Sequence, residues 1–174
     1  MSGVMERAAK VRLMIFDVDG VLTDGSLYYG AAGEAIKRFN VMDGLGIRLL
    51  QQAGIVTAII SARRSEIVSK RAADLGINHV IQGQHDKLKA YQSLCQELQF
   101  TAAETGFIGD DVVDLSLLEQ VGFAVAVANA HADLLPYVNY QTKASGGNGA
   151  VREVCDLILQ AQNKYDAYAA SRLK

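Results

Sequence analysis

The stretch Val11-Arg12-Leu13-Met14-Ile15-Phe16-Asp17-Val18-Asp19-Gly20-Val21-Leu22-Thr23-Asp24 decides the fold. Its first six positions form a short, mostly apolar run of the kind found in a strand buried on both faces of a parallel sheet. Two carboxylates then follow at i and i+2. Charges placed directly beyond a buried strand are costly without a purpose, and the carboxyl end of a parallel strand is where open α/β sheets bind ligands. Asp17 and Asp19 are therefore expected to point into that crevice, against the blander alternative of two turn residues satisfying local hydrogen bonds.

Outward from this stretch, further short runs, Ile55 to Ile60, His79 to Ile81, Thr105 to Ile108 and Phe123 to Val127, alternate with longer amphipathic segments. Gly54, Gly76, Gly83, Gly109 and Gly122 punctuate their ends. The alternation predicts an α/β fold: a doubly wound, mostly parallel sheet with helices on both faces. Two helices are clearest, one placing Leu88, Tyr91, Leu94, Cys95 and Leu98 on a single face, the other Val151, Val154, Cys155, Ile158 and Leu159. Ser26 to Phe39, with a small-residue turn at Gly30 to Gly33, reads as a β-hairpin inserted after the first strand. Ser145-Gly146-Gly147-Asn148-Gly149 reads as a flexible loop before the last helix. The 174 residues make one domain, 1–174, whose tail from about 164 is expected to fray.

A second acidic group, Gly109-Asp110-Asp111-Val112-Val113-Asp114, again directly follows an apolar run. Asp17, Asp19 and Asp110 together make a hard oxygen site suited to Mg²⁺, and three carboxylates without a cation would repel one another. Between the two groups come Ser61, ending a strand, and Lys87, opening a helix. A hydroxyl donor and a fixed ammonium converging on the crevice can neutralise phosphoryl oxygens as charge develops on them. Taken alone, Ser61 would be a strand-end hydroxyl and Lys87 a solvated helix charge; their order relative to the aspartates favours function.

Asp17 to Leu22 with Thr23 one place later, then Ser61, Lys87 and Gly109 to Asp114, resemble in order and context the four motifs of the haloacid dehalogenase superfamily. The resemblance implies that Asp17 is the nucleophile, forming an aspartyl-phosphate, and that Asp19 protonates the leaving oxygen and then activates water. It implies Mg²⁺ held by Asp17, the backbone carbonyl of Asp19, and Asp110, with Asp111 and Asp114 supporting. Asp111 and Asp114 could equally cap a helix, and the two roles can coexist.

Members of that superfamily often carry a cap domain, yet only the hairpin and one helix fit between Asp24 and Gly54, and only a helix and a strand between Ala62 and Asp86. No cap is expected. An open crevice then needs a large substrate or a neighbouring subunit to exclude water, so a homo-oligomer is expected. Asp17 to Gly25, Gly33 to Lys37, Phe39 to Gly46 and Gly146 to Glu153 narrow the resemblance to the 3-deoxy-D-manno-octulosonate 8-phosphate phosphatases, over roughly residues 11 to 163. That family implies a cap-less tetramer built through its hairpins, acting on a sugar-acid phosphate on the route to lipopolysaccharide. It also implies that Asn40, Val41, Met42, Asp43, Gly44, Arg48, Arg63, Arg71 and Lys87 bind substrate, the arginines suiting carboxylate and phosphate. Met42 and Ala62 depart from the family pattern, which expects Arg and Gly at those positions.

Composition bounds the remaining possibilities. Lys and Arg total 17 against 19 for Asp and Glu, so nothing in the charge calls for nucleic acid or an anionic membrane. Cys95 and Cys155 sit among apolar residues as packing thiols, and no stretch is apolar enough to span a bilayer, so a cytoplasmic enzyme is expected. A signalling receiver domain would also combine acids, Ser or Thr, Lys and Mg²⁺, but with its acidic pair and its phosphorylated Asp in a different strand order. Other readings are a relative acting on a nine-carbon sugar-acid phosphate and a silent assembly module, the latter disfavoured by intact Asp17 and Asp19.

Overall fold

The computed structural model describes residues 2–165. Beyond its first two residues, the tail expected to fray lies outside that range. In chain order the elements are α1 (Ser2–Ala8), β1 (Leu13–Phe16), the hairpin β2 (Tyr28–Gly30) and β3 (Gly33–Ile36), α2 (Val41–Gln52), β4 (Val56–Ser61), α3 (Glu66–Leu75), β5 (His79–Gln82), α4 (Lys87–Leu98), β6 (Thr105–Gly109), α5 (Leu115–Leu118), β7 (Phe123–Ala126), β8 (Tyr140–Gln141) and α6 (Ala150–Ala161). The main sheet has the order β5-β4-β1-β6-β7-β8 with every pairing parallel. No cap is inserted in either of the two gaps.

The apolar run of β1 is explained by burial on both sides. Met14 and Phe16 enter the core under α2, α3 and α6, whereas Leu13 and Ile15 enter the opposite core under α4 and α5. All four are fully buried. β1 lies between β4 and β6, so the chain leaves it in one direction to build β4 and β5 and later returns to its other side. The carboxyl end of β1 is thus the switch point of the sheet, where a crevice opens between diverging connections.

The hairpin is a separate two-stranded ribbon, closed by Ala31-Ala32 and by Gly33 at φ +111°, a value that glycine adopts without strain. α1 was not foreseen: Val4 and Ala8, one turn apart, give it too narrow an apolar face to read among charges. β8, two residues long, offers no alternation to recognise.

The segment Ser145 to Gly149, expected to be flexible, is instead wedged against the loop after β1. The Gly147 N–H donates to the Val21 carbonyl at 2.8 Å, and the Gly146 N–H donates to Asn129 Oδ1 at 2.9 Å. A Cβ at Gly146 would stand 1.7 Å from the Gly20 carbonyl oxygen. The glycines therefore serve backbone-to-backbone packing rather than mobility. Asp43, which the resemblance assigns to substrate, is one of the residues that fix the last helix. It is buried, and its carboxylate accepts the N–H of Arg152 at 2.8 Å and of Gly149 at 3.3 Å, anchoring the amino end of α6. Asp43→Ala is expected to cost about 2 kcal/mol through the orphaned N–H groups, seen as a lower thermal midpoint, with KM unchanged at temperatures where the variant is folded. A raised KM without loss of stability would restore the substrate role.

Candidate active site

Asp17 follows β1 directly and stays in register, its N–H donating to the Ile108 carbonyl at 3.2 Å. The chain then turns back on itself around Thr23. The N–H groups of Gly20 and Gly25 donate to Thr23 Oγ1 at 3.3 and 3.2 Å, and that hydroxyl donates to the Val18 carbonyl at 3.4 Å. Gly20 sits at φ +87°, and a Cβ there would come within 1.9 Å of Asp110 Oδ2. The glycine after Asp19 is thus required twice, by the turn and by the approach of the second acidic loop.

Asp17, Ser61 and Asp110 stand at the ends of the adjacent strands β1, β4 and β6, and Lys87 reaches them from the first turn of α4. Its ammonium lies 3.1 Å from Asp17 Oδ2 and 2.6 Å from Asp114 Oδ1, almost wholly out of solvent. Burial works against the charged form of Lys87, but Asp17 and Asp114 outweigh it and hold its pKa above the usual value. Asp114 Oδ2 accepts the backbone N–H of Asp110 at 3.0 Å and of Asp111 at 3.4 Å, so Asp114 shapes the loop that carries Asp110. Asp111 accepts from the Val112 N–H, capping the short turn, while remaining exposed at the rim. Of the two roles weighed from sequence, capping is the one these hydrogen bonds display.

Asp17, Asp19, Ser61, Arg63, Lys87, Asp110 and Asp111 border one open cleft of about 600 Å³. The Asp19 carboxylate faces Lys37 of the hairpin, with which it forms an ion pair, and Arg63 Nε lies 3.6 Å away. Lys37 and its second partner Glu34 lie in a stretch that carries the resemblance but received no site role from sequence, because a single Lys and Glu in a short hairpin look like solvated charges. Asn40, Val41, Met42, Gly44, Arg48 and Arg71 gather elsewhere, around the start of α2. Asn40 caps that helix by accepting the Met42 N–H at 2.7 Å; Arg48 donates to the Asp74 carbonyl; Arg71 lies over the Phe39 ring, 5.7 Å from its centroid. The depression beside Met42, Arg48 and Arg71 shares no residue with the aspartate cleft.

The cleft carries the acids Asp17, Asp19, Glu34, Asp110, Asp111 and Asp114 against the cations Lys37, Arg63 and Lys87. Asp17, Asp110 and Asp114 each bring a carboxylate oxygen within 4.8 Å of the others. Burial raises the pKa of Asp110 to about 8, helped by the charges of Asp17 and Asp114. Burial likewise raises Asp17, against the opposing pull of Lys87. An all-oxygen donor set whose acids resist ionising is suited to a hard divalent cation, which would favour their charged forms. Asp114 is already saturated by Lys87 and two N–H groups, leaving Asp17 and Asp110 as the freer ligands.

This sets a sign for pH. Asp110 holds its proton more tightly folded than unfolded, so the metal-free protein binds more protons when native and loses stability as pH rises from about 4 toward 8. A divalent cation offsets that loss. Mg²⁺ is expected to raise the thermal midpoint more at pH 8 than at pH 6, measured by differential scanning fluorimetry against a chelator control. An equal shift at both pH values would contradict the assignment.

Comparison with known proteins agrees with this geometry. Residues 61–154 match the family profile of the haloacid dehalogenase-like hydrolases. The 3-deoxy-D-manno-octulosonate 8-phosphate phosphatase of Yersinia pestis is 53% identical over 163 residues, covering 94% of this chain and 87% of the relative. The crystal structure of 3-deoxy-D-manno-octulosonate 8-phosphate phosphatase from Moraxella catarrhalis, in complex with magnesium ion, phosphate ion and a KDO molecule, superposes with a TM-score of 0.96 at 44% identity, covering 99% of each chain. The cobalt-bound deoxy-D-mannose-octulosonate 8-phosphate phosphatase of Haemophilus influenzae gives a TM-score of 0.93 at 44% identity, covering 97% of this chain and 99% of that one.

Proposed function

The chain belongs to the haloacid dehalogenase-like hydrolases, and from that membership we infer a Mg²⁺-dependent phosphatase that converts 3-deoxy-D-manno-octulosonate 8-phosphate to 3-deoxy-D-manno-octulosonate and phosphate, a step toward lipopolysaccharide. The observation that carries the reading is the convergence of Asp17, Ser61, Lys87 and Asp110 on one cleft at the switch point of the sheet, in a chain about half identical to named phosphatases of this substrate over nearly its whole length.

In the proposed mechanism a carboxylate oxygen of Asp17 attacks phosphorus, forming an acyl phosphate as the bond from phosphorus to the sugar oxygen breaks. Asp19 gives that oxygen its proton. Asp19 then takes a proton from water, which attacks the same phosphorus and frees Asp17. Covalent capture divides one difficult displacement into two easier ones. Lys87, fixed between Asp17 and Asp114, offers its remaining N–H toward phosphoryl oxygens, and the Ser61 hydroxyl donates beside it. When bound, Mg²⁺ held by Asp17, the Asp19 carbonyl and Asp110 supplies charge neutralisation and in-line orientation. We assign Arg63, at the rim, to the sugar carboxylate, for which its bidentate guanidinium is suited.

Assembly follows from the same surface. Leu27, Tyr28, Tyr29 and Ile36 expose apolar side chains along the hairpin, which supports self-association through it, as a tetramer. Val41 and Met42 are also exposed, and with Arg48 and Arg71 we assign them to substrate across a subunit boundary. Among the described residues no helix is long and apolar enough to cross a membrane. Cys95 and Cys155 are free thiols, as suits the reducing cytoplasm.

Asp17→Asn removes the nucleophile at constant size and is expected to lower phosphate release from the eight-carbon substrate by on the order of 10⁴-fold or more, with the fold intact by circular dichroism. Undiminished turnover would overturn the mechanism. Preference of the native enzyme for a nine-carbon sugar-acid phosphate would keep the mechanism and move the substrate.

A further inference from the structure

We propose that Lys37 is a positioning residue for Asp19, the hairpin ammonium that aims the proton-transferring carboxylate at the leaving oxygen. Lys37 stands just beyond β3 with its side chain 1% exposed, although the hairpin around it is largely solvated. Lysines are almost never so buried unless paired. This one donates to Asp19 Oδ1 and lies 2.9 Å from Glu34 Oε1. Glu34 is itself fixed, its far oxygen Oε2 accepting from the Ser65 hydroxyl at 2.6 Å while Oε1, shared with Lys37, also accepts from Arg63 Nη2 at 3.4 Å. The result is a chain of contacts running from Ser65, at the start of α3, through Glu34 and Lys37 to one oxygen of Asp19.

Asp19 needs such a clamp. It lies outside the ladder that fixes Asp17, in a turn with extended backbone at its own position, and its carboxylate is only partly buried. Without Lys37 its remaining cation is Arg63, at 3.6 Å and itself 41% exposed, a contact too loose to hold one rotamer. Proton transfer requires the carboxyl group within hydrogen-bond reach of the oxygen it serves. Asp17, by contrast, is held by its strand and by Lys87, so loss of Lys37 leaves the nucleophile in place. The proposal rests on the phosphatase reading above.

The test uses two leaving groups. A sugar alkoxide departs only when protonated, whereas p-nitrophenolate is stable enough to leave unaided. In single-turnover measurements of the first step, leaving-group release, Lys37→Met is expected to slow 3-deoxy-D-manno-octulosonate 8-phosphate on the order of 10²-fold and p-nitrophenyl phosphate less than about fivefold, whereas hydrolysis of the aspartyl-phosphate, which uses Asp19 as base for both, slows alike. Lys37→Arg, which keeps the cation, recovers most of the loss. Because the two residues act as a unit, adding Lys37→Met to Asp19→Asn costs little more than Asp19→Asn alone. Where Lys37→Met folds poorly, Glu34→Gln shifts the same substrate ratio in the same direction and serves in its place. Equal losses on both substrates in the leaving-group step, an effect confined to KM, or additivity with Asp19→Asn would overturn the proposal. Failure of the native enzyme to hydrolyse the sugar phosphate, with p-nitrophenyl phosphate still turned over, would instead refute the substrate reading.

Discussion

The repulsion among carboxylates gathered at the end of β1 is the constraint on which the rest of the cleft depends. Asp17 cannot be a nucleophile unless it is both desolvated and ionised, and burial alone drives it toward its neutral form. Lys87 meets half of that need by lying between Asp17 and Asp114. Around Asp110 the pull of Lys87 is outweighed by burial and by the charges of Asp17 and Asp114, a balance suited to a hard divalent ion.

Holding such charges together demands a backbone that cannot yield. Thr23 ties the turn after β1 to Val18, Gly20 and Gly25, and the Gly146-Gly147 segment backs that turn at distances that admit no side chain. The amino end of α6, which follows this segment, is in turn held by Asp43 from α2. A path of buried hydrogen bonds therefore connects the helical layer to the loop bearing Asp19. Residues far from the substrate along the sequence set the geometry of the chemistry because the switch point brings their backbones into contact.

What was legible in the sequence was whatever left a periodic or ordered trace. β1 could be read because burial on both faces makes its residues uniformly apolar, and the acidic groups because each directly follows such a run. Ser61 and Lys87 were recognisable from their order between those groups. Other features left no such trace. The Gly146-Gly147 wedge and a flexible linker have the same composition, and only the opposing backbone of Gly20 and Val21 separates the two. The hold of Asp43 on the start of α6 left no trace either, because its partners Gly149 and Arg152 lie 106 and 109 residues away. Lys37 hid for the opposite reason: its two partners, Asp19 and Glu34, lie 18 and 3 residues away, and nothing local marks it as buried.

The hairpin draws these threads together. A two-stranded ribbon outside the main sheet has little stability of its own, and here its strands pair over only a few residues with a shift in register between Tyr28 and Tyr29. Its inward side is nevertheless fixed by charge, through Lys37 to Asp19, Glu34 to Ser65, and Arg63 to the Tyr29 hydroxyl at 3.2 Å. Its outward side is apolar and exposed. The ribbon therefore takes its rigidity from the cleft it borders, and the cleft takes the orientation of Asp19 from the ribbon. In a chain without a cap, this mutual bracing fixes the Asp19 carboxylate before any substrate arrives; under the mechanism proposed above, proton transfer then depends on an element that the sheet does not support.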